Sequence, residues 1–443
     1  MRTGRRRSTV AAIALAMSAS CAWAVVSPNG ETLPSKTLPE CIDFALERHP
    51  SLGAARATIE GARQRVWQSA SGYLPQVTAN YDADRRQTTA TAQTGADLGS
   101  ISQTFNFYTT GVTLTQLLFD FGRNLALIRS AQASQSSIEA DYTTQQAVVR
   151  LGVKQAYFNL LAAQRLLHVA DETVRQTQKQ LDLAKGRFDV GLAPRFDVTR
   201  ADVQVANAEL NQVTARNNLA VARETLRNAM GVTGPLDFVP VDTLEVLPPQ
   251  IEEQQALDRA YMSRSELRSL QSLQVAVEED IASLKRDYLP VVVGGGTYYW
   301  SGTDYPLESN WNIGASVNLS LFNGGLTTAR IGEAKASLSQ LRFNEEQTRQ
   351  GVELEVRQTW LNARQADESI RVARKGIQSA RESLELAQGR YATGVGNIIE
   401  LTDAQAAFST ADATVVQALA GYQISVAALE RAMGTSLTEA EAP

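Results

Sequence analysis

The chain repeats itself. Leu183-Ala-Lys-Gly-Arg-Phe-Asp-Val-Gly191 returns as Leu386-Ala-Gln-Gly-Arg-Tyr-Ala-Thr-Gly394, 203 residues later. Leu118-Phe-Asp-Phe-Gly122 returns as Leu321-Phe-Asn-Gly-Gly325, and Ala229-Met-Gly231 as Ala432-Met-Gly434, at the same spacing. Upstream, Tyr73-Leu-Pro75 and Tyr288-Leu-Pro290 stand 215 apart, as do Ile42 and Leu257. Two copies of one folding unit are therefore expected, the first carrying twelve extra residues between its Tyr-Leu-Pro and Leu-Phe landmarks. A longer surface loop is where such a difference is most easily tolerated.

After the Leu-Phe landmark each copy carries a heptad seam. Val149, Val153, Ala156, Leu160, Ala163, Leu167, Ala170, Val174, Thr177, Leu181, Ala184 and Phe188 follow one another in alternating steps of four and three. Copy two matches them from Val352 and Val356 through Ala363, Ile370 and Leu384 to Tyr391. That periodicity predicts one long helix per copy with a coiled-coil face. No proline interrupts Arg123 to Arg187 or its second-copy equivalent. At 1.5 Å per residue each helix would reach about 100 Å. That is roughly three times the hydrocarbon thickness of a bilayer, a length an ordinary bundle helix seldom needs. The small residues in the seam let neighbouring helices approach closely. Gly191 with Pro194, and Gly394 with Gly396, predict turns where the long helices stop. Return helices then run from about Asp197 and Ile398 to the Ala-Met-Gly landmarks, making a helical hairpin in each copy.

Strands precede the helices. Trp311, Ile313, Ala315, Val317, Leu319 and Leu321 alternate with Asn310, Asn312, Gly314, Ser316, Asn318 and Ser320. Such a period of two, apolar against small and polar, suits a strand between lipid and water. Val112 and Leu114 give a shorter version in copy one, and Leu74–Arg86 and Leu289–Trp300 supply a preceding strand in each copy. Tyr298, Tyr299 and Trp300 stand where an aromatic girdle would. Two strands per copy make four per chain, too few to close a barrel. An open edge facing lipid would leave backbone groups unsatisfied, so the wall must be completed by further copies. Two chains give eight strands, whose interior side chains mostly fill, and three give twelve, the better conduit.

The remaining composition narrows the function. Arg2, Arg5, Arg6 and Arg7, the apolar run Val10–Met17 and Ala22-Trp-Ala24 form a secretory signal peptide over residues 1–24. Cys21 keeps an acylated-lipoprotein reading open, although Ser18 stands where a large aliphatic residue is usual. The other cysteine, Cys41, is expected to be a buried small hydrophobe. Forty-two basic against 47 acidic residues, a net charge of −5, argue against a general nucleic-acid binder. Two cysteines and two histidines support neither a disulfide framework nor a His/Cys metal site. His49 and His168 have no neighbours suggesting a triad, and Gly294 to Gly296 lack the Lys-Ser/Thr of a phosphate loop. No enzyme, catalytic residue, metal or cofactor is expected. The chain is divided as signal peptide 1–24, first repeat 25–235, linker 236–250, second repeat 251–434 and tail 435–443.

Taken together, the signal peptide, the doubled plan and its landmarks resemble the TolC-like outer membrane efflux proteins. The most specific stretches are Gly186-Arg-Phe-Asp-Val-Gly-Leu192 with Asp197-Val198 and Val213-Thr-Ala-Arg-Asn-Asn-Leu219, and Arg390-Tyr-Ala-Thr-Gly394 with Glu400-Leu401. The resemblance implies a mainly α fold with a small antiparallel β portion, assembled as a homotrimer. A twelve-stranded outer-membrane barrel would continue into a twelve-helix periplasmic barrel. It implies docking to a periplasmic adaptor and an inner-membrane pump of RND, ABC or MFS type, in efflux or type I secretion. Gly191, Leu192, Gly394 and Val395 match the adaptor-docking tips. Asp197 and Tyr391 match a hydrogen bond that latches the entrance, and Gly396 replaces an arginine that reinforces closure in some members. Glu400 and Asp403 match a pore-facing acidic pair; six such carboxylates around a trimeric mouth would favour cations. A periplasmic adaptor or an envelope-spanning coiled-coil protein is the alternative, but an adaptor would carry one hairpin and a fibre would not need lipid-facing strands.

Overall fold

A computed structural model describes residues 34–94, 97–245 and 251–437. The expected signal peptide with Cys21, residues 246–250 of the expected linker and the last residues of the expected tail lie outside them. The chain opens with β1 (Ser35–Lys36), α1 (Leu38–Arg48) and α2 (Pro50–Ala70). A hairpin of β2 (Gln76–Thr94) and β3 (Asp97–Phe119) follows, then α3 (Arg123–Asp189) and α4 (Arg195–Ala229). After β4 (Val239–Pro240) the plan repeats: α5 (Glu253–Ser263), α6 (Ser265–Lys285), β5 (Val291–Gly302), β6 (Glu308–Asn318), α7 (Leu326–Ala392) and α8 (Ile398–Met433).

The long helices each have 67 residues and carry the seam inward. In copy two all twelve seam positions are buried or half-buried; in copy one only Phe188 is exposed. The backbone repeats as faithfully. Positive φ occurs at Phe121, Gly122, Gly191 and Gly231, and again at Gly324, Gly325, Gly394 and Gly434, each 203 residues on. Among the described residues Phe121 alone meets this demand without being glycine. Asp120 holds that corner, accepting hydrogen bonds from the amides of Gly122 (3.0 Å) and Asn124 (2.6 Å), donors the new helix leaves free.

The copies join where α3 packs on α6 and α8. The main core lies at this junction, where equivalent aromatics anchor the surrounding segments. The Tyr157 hydroxyl donates to the Val241 carbonyl (2.7 Å), and Trp360 Nε1 donates to the Ile251 carbonyl (2.8 Å). Cys41 is fully buried there, and burial pushes its thiol up to about 11, the inert small hydrophobe expected. His49 caps α2, its Nδ1 accepting from the Ser51 amide (3.3 Å), which gives this histidine a structural duty.

At one end β2-β3-β5-β6 form an antiparallel sheet, in which β3–β5 pairing joins the copies and β2 and β6 are its edges. The register sorts the side chains. Val77, Leu114 and Ile313 share one face with Ala79, Val112, Tyr298 and Trp311, while Thr78, Thr113, Thr297 and Asn312 share the other. On the apolar face Trp311 is 71% exposed and Ile313 80%. Among the described residues no helix is long and apolar enough to cross a membrane.

Three expectations change. The twelve extra residues extend strands: β2 and β3 pair from Gln76–Thr115 out to Thr94–Asp97, well past the end of β5. Pairing a ribbon to its tip satisfies backbone groups that a loop would leave to water. Tyr299 lies on the polar face, opposite Gly111, where a Cβ would sit 2.7 Å from that of Tyr299; of the three aromatics expected in a girdle, only Tyr298 and Trp300 share the apolar face. Finally, β6 stops at Asn318, so Leu319 and Leu321 fall in the turn before α7.

Candidate functional site: the helical tips

Opposite the sheet, the two helical hairpins end side by side. Each long helix closes with paired backbone bonds. The Leu192 amide donates to Arg187 O (2.8 Å) and the Gly191 amide to Phe188 O (2.9 Å); Val395 to Arg390 O (3.0 Å) and Gly394 to Tyr391 O (3.1 Å) repeat the pattern. This is the motif that glycine at positive φ permits, and φ is 75° at Gly191 and 78° at Gly394. Leu192 and Val395, the residues beyond, are 71% and 74% exposed, two apolar side chains at the extreme end of the molecule.

Each tip has its own small core. Leu181, Ala184, Ala201 and Val205 pack in the first hairpin; Leu384, Ala387, Tyr391, Ile398 and Leu401 pack in the second. Asp197 and Glu400 both fall in the first turn of a return helix, where a carboxylate complements the helix dipole. The Glu400 amide is also capped by Asn397 Oδ1 (2.8 Å).

Tyr391 and Asp197 are brought near one another without a hydrogen bond. Among the described residues the buried Tyr391 hydroxyl has no partner. Burial, then the Asp197 carboxylate, pushes that hydroxyl above its ordinary range. What reaches across from copy one is Arg187, which the sequence reading passed over. Its guanidinium lies over the Tyr391 ring, 4.8 Å from the centroid, and donates to the Tyr391 carbonyl. The Gly-Arg-aromatic repeat was the signal that could have found it. Gly396 sits in close quarters: a Cβ there would lie 3.0 Å from Arg390 Cβ and 3.1 Å from the Tyr391 amide nitrogen, so a larger residue would need its neighbours to give by a few tenths of an ångström.

Each residue of the acidic pair meets an arginine. Glu400 Oε1 lies 3.0 Å from Arg390 Nε, and Asp403 Oδ1 lies 3.5 Å from Arg200 Nη2. Arg200 Nε also donates to Thr402 Oγ1 (3.4 Å). Farther up, Arg264, Glu266, Glu355 and Arg431 form a paired charge network between α6, α7 and α8. No group of histidine, cysteine and carboxylate residues suited to a metal ion occurs among the described residues.

Comparison with known proteins agrees with this architecture. The family model described as outer membrane efflux protein matches residues 41–232 and 256–435. Outer membrane protein TolC of Escherichia coli K12 is 27% identical over 410 residues, 87% of this chain and 80% of that protein. Outer membrane protein TolC of Vibrio cholerae is 25% identical over 419 residues, 90% of this chain and 91% of its own length. The solved structure of the outer-membrane channel OprN superposes with a TM-score of 0.75 at 21% identity, covering 90% of each chain. A doubled helical hairpin carrying a four-stranded, partly lipid-suited sheet thus has its place: the chain belongs to the outer membrane efflux protein family, as a TolC-like channel protein of the outer membrane.

Proposed function

We propose that three copies of this chain close into an exit duct, twelve strands lining an outer-membrane pore and twelve helices extending it through the periplasm. The observation that carries this reading is the incompleteness of one chain. Its sheet ends in two edges, β2 and β6, and exposes Trp311, Ile313 and Val317 on one face. Both features are unfavourable in a solitary molecule and resolved in a closed barrel within lipid. The helices support the same conclusion. Val203, Leu210, Val213 and Val221 of α4, and Leu354, Leu361, Val372 and Leu386 of α7, form an exposed apolar stripe along one face of each helix. Each is a second seam for a neighbouring copy to cover.

Substrates then move passively from an inner-membrane pump and its periplasmic adaptor to the outside, with Gly191, Leu192, Gly394 and Val395 as the docking tips. The entrance is held by the Tyr391 seat, with Asp197 beside it and Arg187 across it, and opens by realignment of the tip helices. Detergent-extracted protein should run as a trimer by native mass measurement and conduct ions in planar bilayers. A stable, non-conducting monomer would contradict the proposal. A crosslinkable probe at Leu192 or Val395 should capture an adaptor in cells.

A further inference from the structure

We propose that the mouth of the duct is charge-compensated: Arg200 and Arg390 cancel Asp403 and Glu400, so that it does not act as an acidic filter. This rests on the duct reading given above. Arg200 and Asp403 occupy the same repeat position, 203 residues apart, and therefore stand at one level of the two neighbouring hairpins. Their 3.5 Å approach links α4 of one copy to α8 of the other. Arg390 meets Glu400 within the second hairpin, where the chain turns from α7 to α8.

The balance extends beyond the two pairs. Residues 185–203 and 389–404 together carry Lys185, Arg187, Arg195, Arg200 and Arg390 with Asp189, Asp197, Asp202, Glu400 and Asp403, five cations and five anions. A ring of like charges around a constriction selects ions of the opposite sign. Replacing each isolated carboxylate by a carboxylate–guanidinium pair removes the net charge on which that selection depends, leaving short-range dipoles that salt screens further. The duct is thereby suited to cargo of either sign. The second-copy carboxylates retain local duties, Glu400 in the first turn of α8 and Asp403 opposite Arg200, consistent with their presence at a mouth of no net charge.

The pairs are solvent-exposed enough to contribute little to folding, with the Asp403 side chain 70% exposed, so they can be altered in the intact protein. Reversal potentials would be measured for the full-length protein in planar bilayers across a KCl gradient. The wild type should show a potassium-over-chloride permeability ratio within about threefold of unity. Arg200→Gln with Arg390→Gln should raise that ratio several-fold and create block by micromolar La³⁺ from the tip side. Glu400→Gln with Asp403→Asn should shift selectivity toward chloride. A strongly cation-selective wild type, or a double arginine variant with unchanged selectivity and no lanthanum block, overturns the compensation. Absence of any conductance from a well-folded protein would instead overturn the duct reading.

Discussion

Tyr391 is the residue on which the tip turns. It is 3% exposed, yet among the described residues its hydroxyl finds no partner, and its ring is held by the small core of the second hairpin with the guanidinium of Arg187 laid over it. Truncating Arg187 to alanine removes a cation–π contact worth about 1 kcal/mol and a bond to the Tyr391 carbonyl. Resting single-channel conductance should rise, and Arg187→Lys should recover part of the closure; conductance unchanged in both variants would remove Arg187 from the latch. Burial raises the Tyr391 hydroxyl, so the folded tip keeps its proton where an unfolded tyrosine loses it. The stabilisation is intact below the ordinary tyrosine range near pH ~10 and declines as pH climbs toward the folded value. Tip opening, followed by proteolysis at the hairpin ends, should therefore increase above that pH, and Tyr391→Phe should abolish the increase. The local sequence marked the glycines, Asp197 and Tyr391 as tip residues. It did not mark Arg187 or Arg200 as partners, because their contacts are made between copies and no spacing along one helix encodes them.

At the scale of elements, periodicity was the legible quantity. The seams and the glycine turns marked the tip ends of both long helices to within a few residues, whereas their starts at Arg123 and Leu326, well before Val149 and Val352, followed from the Leu-Phe landmarks and the absence of proline. The exposed stripes on α4 and α7 escaped notice because a second seam, read in a single helix, looks like scattered surface hydrophobics. The strands were legible as alternation, but their ends were not, because pairing rather than composition decides where a ribbon stops. The first hairpin continues beyond Tyr108–Gly302, the last pair joining β3 to β5, for many further rungs. Among the described residues that outer part has no third strand of its own chain beside it. Deleting 87–104 and closing the ribbon with Asn-Gly should leave assembly and conductance near wild-type levels, because the wall-forming rungs from Gln76–Thr115 to Ala83–Tyr108 remain. Loss of the assembled form in native gels would show that the projecting ribbon is needed to build the wall.

For the whole molecule, equal length becomes a constraint in its own right. The two long helices match residue for residue, 67 and 67, and begin at equivalent left-handed corners, Gly122 and Gly325. They work as a pair of struts between a fixed rim and a level foot. Inserting one heptad into α3 and the matching point of α4 alone should lower one tip by about 10 Å and separate Arg187 from Tyr391. The same insertion in both copies should keep the tips level and preserve low resting conductance. Duplication has thus made parity a heritable requirement: the duct can change its reach only when both halves of the gene gain or lose the same measure.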